Sequence, residues 1–164
     1  VGKQESATTA LANVQATYQR RADLLPNLTK TVKAYAKHEK ETFEAVTKAR
    51  TEATQIKLDA ESLTPEKLAA FQKAQGDVAA AFGRLMAIAE NYPELKASEN
   101  FKDLQVQLEG TENRINEARQ KYNDAVQKYN QSVRTMLVAG IFGFEKMSKF
   151  EAAEGSEKAP DLDI

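Results

Sequence analysis

Apolar residues recur along this chain at alternating steps of three and four. One stripe runs from Leu11 through Val14, Tyr18, Leu25, Leu28, Val32 and Val46 to Ile56. A second runs from Leu68 through Phe71, Val78, Phe82 and Leu85 to Tyr92, and a third from Phe101 through Leu108, Ile115, Tyr122 and Tyr129 to Met136. Steps of this kind place side chains on one face of an α-helix, and a seven-residue period favours shallow, left-handed packing between helices. No stretch of useful length alternates as a strand would. The pattern predicts an all-α, up-and-down antiparallel bundle of long helices over about 4–57, 65–91 and 98–138, with a short C-terminal helical segment.

Three boundaries have a chemical cause. Thr64 is placed to cap a helix whose first position is Pro65, with Glu66 at the positive end of the helix dipole. Tyr92 precedes Pro93 and is biased away from helical geometry, so the second helix ends near Asn91. Ser98 can cap the third. Short connections at 58–64 and 92–97 make consecutive helices antiparallel neighbours. Pro26 lies inside the first stripe, where it removes a hydrogen bond to Ala22 and crowds that carbonyl. Because the stripe keeps its phase across Pro26, a kink is favoured over a reversal there. The alternative, in which 4–22 folds back beside 24–57, also gives a four-helix bundle. Gly76, Gly83 and Gly110 sit inside helical pattern at a cost of about 1 kcal/mol each relative to Ala. They are expected to mark close helix contacts.

Composition supports the helices and narrows the chemistry. The 164 residues suit one domain, taken as 1–150, followed by an acidic tail over 151–164 that carries Glu151, Glu154, Glu157, Asp161 and Asp163 against Lys158. Cysteine is absent and His38 is the one histidine, which excludes disulfides, thiolate nucleophiles and a triad built on an orienting histidine elsewhere. A di-iron bundle needs Glu-x-x-His on two helices, and "HEKE" offers neither the order nor a second histidine. No glycine-rich phosphate loop occurs. A net charge of −1 creates no field for nucleic acid. No cofactor and no catalytic residue are therefore expected. No apolar run reaches the ~20 residues that cross a bilayer. The chain starts at Val1 rather than Met, and we expect an upstream segment, an anchor included, to have been removed.

The polar residues that interrupt the stripes are the candidate site. Arg21 and Glu39 fall on core-facing positions of the first helix and Thr111 on the third, with Glu109, Glu112 and Arg114 close by. A buried arginine must find a carboxylate or several carbonyls. Three readings are open: an ionic cluster that selects helix alignment, a carboxylate- or phosphate-recognition site that also draws on Arg20 and Asn27, or an Arg21 that is simply exposed. A second candidate is "VAGIFGF" with the residues after it. Ile141, Phe142, Phe144, Met147 and Phe150 either close the bundle end or form an apolar surface for a partner. Tyr122 and Tyr129, one heptad apart, are read as core.

Four blocks resemble the LemA family: "QRRADLLPNLTKTVKAYAKHEKETFEAVTKAR", "AFGRLMAIAENYPELKASENFKDLQVQLEGTENRINEAR", "KYNDAVQKYNQSV" and "GFEKMSKFEAAEGSEKAP". The likeness spans nearly the whole chain from Val14, although no block is a catalytic motif. It implies a bacterial protein with an N-terminal membrane-inserted segment and a helical domain, which we expect on the extracytoplasmic side. It implies no established molecular activity. Two positions depart from the family pattern: Leu11 stands where relatives carry tryptophan, and "TMLVAGIFGF" follows Arg134 where relatives have Phe-Pro. The expectation is a non-enzymatic, membrane-anchored scaffold or adaptor with protein partners. The alternative is a small-anion or ligand-binding module using the Arg/Glu cluster.

Overall fold

The structure, a computed structural model, describes residues 2–138, and side chains as far as Arg134. Five α-helices follow in order: α1 (Gly2–Lys33), α2 (Lys40–Gln55), α3 (Pro65–Ala89), α4 (Pro93–Ala97) and α5 (Glu99–Val138), with a 3-10 turn at Ala60–Ser62. Among the described residues there is no strand. The four longer helices run up, down, up and down. α1 packs most extensively on α5, and α2 on α3. At 1.5 Å per residue α5 is about 60 Å long and α1 about 48 Å, so this pair forms the spine.

The expected boundaries after residue 60 hold closely. Thr64 accepts a hydrogen bond from Lys67 N at 3.1 Å, and Pro65 occupies the first helical position. Ser98 Oγ accepts from Phe101 N at 3.3 Å. The 92–97 connection is not bare chain but the one-and-a-half-turn α4, which buries Leu95.

The first stripe requires a correction. The helix expected over 4–57 is two helices, but not divided at Pro26: α1 runs through Pro26, as favoured over a reversal there, and the alternative in which 4–22 folds back is overturned. The reversal comes instead at 34–39, between α1 and α2. Proline at 26 removes one backbone bond on an exposed face, a cost that packing of the flanking Leu25 and Leu28 outweighs; both are essentially inaccessible. At 34–39 no glycine or proline dictates a break. The last turn tightens through Tyr35 N to Val32 O at 3.0 Å, and Ala36, fully buried, pins the corner. The reversal lets Phe43, Val46, Ala49 and Ala53 bury against α3. A single straight helix would leave that face in water. The break also resets the stripe: Tyr35 and Glu39 are exposed.

The interior has two apolar clusters. One holds Leu25, Leu28 and Val32 of α1 with α2, the later part of α3 and the start of α5 to Leu108. The other holds Ala7 to Tyr18 of α1, Leu58, Leu68 and Phe71, and Ile115 to Val126 of α5. Arg21, Thr111 and Glu112 lie in sequence between the two on α1 and α5, and Gln75 lies next to their junction on α3; all four are buried. The glycines do not mark tight contacts. A Cβ on Gly76 or Gly83 meets nothing within 4 Å, and one on Gly110 meets only the end of the Arg114 side chain at 3.7 Å.

Candidate functional site

The polar layer at the bundle waist is built from three helices. Arg21, on the buried face of α1, is 1% exposed and is among the largest fully enclosed side chains. Its Nη1 donates to Glu112 Oε1 of α5 at 2.9 Å. Its Nη2 donates to the Gln75 backbone carbonyl of α3 at 2.8 Å and to Gln75 Oε1 at 3.2 Å. One guanidinium thus ties α1 to α5 and α3 at one level. Its planar fork has the geometry for this, where a lysine ammonium would not.

Aromatic contacts close the layer. The Arg21 guanidinium carbon lies 5.2 Å from the Tyr18 ring centroid, within cation–π range. Tyr18 in turn meets Phe71 edge-on, with centroids 5.2 Å apart. Arg119 of α5, also buried, donates to the Tyr18 hydroxyl. Burial pushes the Tyr18 pKa up, while the positive charges of Arg119 and Arg21 pull against it. Tyr122, one helical turn beyond Arg119, is pushed up to about 12 by burial.

The network is not fully satisfied. Glu112 Oε2 and Arg21 Nε have no hydrogen-bond partner among the described residues. Burying charge in a partly satisfied network is costly, and an apolar layer of equal volume is often as stable or more so. The cluster is therefore better suited to choosing one helix alignment than to adding stability.

Of the expected site residues, the structure brings Arg21 and Glu112 together and buries Thr111, whose hydroxyl donates to the Gln107 carbonyl at 2.8 Å. It leaves Arg20, Asn27, Glu39, Glu109 and Arg114 exposed and outside the layer. Arg20 and Asn27 sit on the solvent side of α1, and Glu109 and Arg114 flank the buried row of α5. Glu39 lies at the N-terminal boundary of α2, where the chain has just reversed. Ile141, Phe142, Phe144, Met147 and Phe150 lie outside the described residues. Arg21, on which an anion-recognition site would depend, already directs donors at Glu112 and Gln75, and its side chain is sealed from solvent. Two participants, Gln75 and Arg119, lie outside the expected set. Gln75 is visible as the one polar interruption of the second stripe. Arg119 follows Glu112 by one heptad, which is the signal that finds it.

The sequence matches the LemA family profile over residues 10–163. The chain belongs to the LemA family. That membership covers nearly all of the bundle, including α1 from Ala10 and every residue of the buried layer. No curated protein sequence matches the chain closely enough to carry a comparison. Among the described residues, no helix is long and apolar enough to cross a membrane, and no group of three or more acidic, histidine or cysteine side chains is placed to hold a metal ion.

Proposed function

We propose that this LemA-family chain works without catalysis, as a membrane-anchored helical scaffold or adaptor that presents a rigid helix surface to protein partners. The anchor is a segment N-terminal to the bundle, and the bundle lies on the extracytoplasmic side. Both of these points rest on the family resemblance. The observation that carries the scaffold reading is the inward use of the bundle's strongest polar chemistry. Arg21, Glu112 and Gln75 are directed at one another rather than at a cleft. What remains for the outside is a spine about 60 Å long with one enforced alignment. The apolar run Ile141, Phe142, Phe144, Met147 and Phe150 is the proposed contact surface, because closely spaced apolar side chains are what a protein partner can bury.

The test is affinity capture from native membranes after in-cell crosslinking of the full-length, anchored protein. The scaffold reading expects a defined set of captured proteins, reduced at least severalfold by Phe142→Ser with Phe144→Ser. Isolated monomers, with capture unchanged by those substitutions, would overturn it.

A further inference from the structure

The corner where α1 turns into α2 carries an open groove of about 620 Å³ whose lining includes Lys33, Lys37, Lys40 and Lys48, with Phe43 in its floor and Glu44 as its one carboxylate. The lysines are exposed. Among the described residues, none of the four has a carboxylate within ion-pair distance, whereas Lys73, Lys96 and Lys121 each do. Lys33 Nζ sits 5.0 Å from the Phe43 ring centroid, so lysine stems and an aromatic face make the floor apolar below a basic rim. A groove of this kind fits a segment that alternates acidic and apolar side chains.

The chain holds one such segment. It ends in Asp161-Leu162-Asp163-Ile164, and Glu157 precedes it. In an extended backbone, alternate side chains face opposite ways. Leu162 and Ile164 can then meet the floor while Asp161 and Asp163 meet the ammonium rim. Reach permits this within one molecule. The pairs Lys3 with Ser132 and Arg21 with Glu112 fix the antiparallel alignment of α1 and α5 and put Lys33 level with about residue 101. The groove is therefore about 56 Å from Val138 along α5. Residues 138 to 162 are twenty-four steps apart and span at most about 80 Å.

We propose that the acidic segment Asp161 to Ile164 docks in the lysine groove at the α1–α2 corner of the same molecule. Most of the available reach is consumed in closing the loop, so docking is weak and salt-labile, and an acidic segment of another protein can displace it.

Zero-length carbodiimide crosslinking tests this on the full 164-residue chain, because the reagent joins lysine amines only to carboxylates that touch them. Mixing isotopically light and heavy protein separates links within a chain from links between chains. The Lys96–Glu90 pair, at 2.8 Å, is the internal positive control. The expected result is a set of intrachain links from Lys33, Lys37, Lys40 or Lys48 to Asp161 or Asp163. These disappear when Lys33→Gln, Lys37→Gln, Lys40→Gln and Lys48→Gln are combined, and with Asp161→Asn and Asp163→Asn together. In 1 M salt, where the Debye length is about 3 Å, they fall at least severalfold while the control link persists. Control links without any to the groove would overturn the proposal. So would groove links found only between chains. A groove that binds phosphatidylglycerol vesicles in a lysine-dependent way, yet forms no link to Asp161 or Asp163, would assign it to lipid and overturn the proposal as well.

Discussion

Consider a double-mutant cycle on the buried pair, with Arg21→Met, Glu112→Leu and the two combined. Arg21→Met leaves a carboxylate that is 1% exposed without the cation at 2.9 Å. Glu112→Leu leaves the guanidinium with only Gln75 to receive its donors. Removing one member of a buried pair costs about 3–5 kcal/mol. For a chain of this size 1 kcal/mol moves the melting temperature by about 2–4 °C, so each single variant should melt about 6–20 °C lower. The combined variant removes both charges together with the two unpartnered atoms, Arg21 Nε and Glu112 Oε2, and fills similar volume with apolar atoms. It should fall within about 1 kcal/mol of the parent or exceed it by up to about 4 kcal/mol. Urea unfolding followed by far-UV circular dichroism provides the four free energies. If the two losses simply add, to about 6–10 kcal/mol, the residues are not coupled and the reading of the layer is refuted.

Four further outcomes are expected from the same structure. Pro26→Ala restores an amide donor for the Ala22 carbonyl on an exposed face of α1, and should raise stability by about 1–3 kcal/mol in urea titration; a loss would show that the proline shapes a needed bend. Gly83→Ala meets open space in mid-α3 and should gain about 0.5–1 kcal/mol. Thr64→Ala removes the acceptor for Lys67 N and should cost about 0.5–2 kcal/mol. Tyr122 is protonated more tightly in the fold than in the unfolded chain, so its contribution is complete below pH 10 and is lost as pH rises from 10 towards about 12. Tyr122→Phe should flatten that alkaline decline in melting temperature, and an unchanged profile would assign the decline to other groups.

The sequence made part of the architecture legible and hid the rest for physical reasons. Caps and prolines are local chemistry, so Thr64, Pro65 and Ser98 marked their boundaries directly. The turn at 34–39 contains only residues a helix tolerates. It exists because α2 gains more by packing on α3 than by prolonging α1, and that gain is tertiary. Pro26 lies within α1, as the unbroken phase of the stripe favoured over a reversal, because its local cost is outweighed by buried leucines on either side. On α5 the positions 108, 115, 122 and 129 are core as the periodicity predicts, but the partner row runs through Glu112, Arg119, Val126 and Val133 rather than only through Thr111, Ala118, Ala125 and Ser132. A one-residue shift of that row is what conceals Arg119. Arg21 stood out because charge on a seam is anomalous. Glu112 was among the acids expected near it, whereas Gln75, 54 residues away, needed three dimensions.

The Arg21–Glu112–Gln75 layer selects the alignment of α1 against α5. Spin labels test it directly, since the chain has no native cysteine to interfere. Lys30 and Lys128 are exposed, and cysteines there place labels about 36 Å apart along the bundle axis. A slip of one heptad changes that separation by about 10 Å. Pulsed electron–electron distance measurement should give one narrow peak in the otherwise unaltered chain. With Arg21→Met and Glu112→Leu combined, the distribution should broaden or gain a second peak shifted by about 10 Å. The same single narrow peak in that variant would contradict it, and would assign the alignment to apolar packing alone.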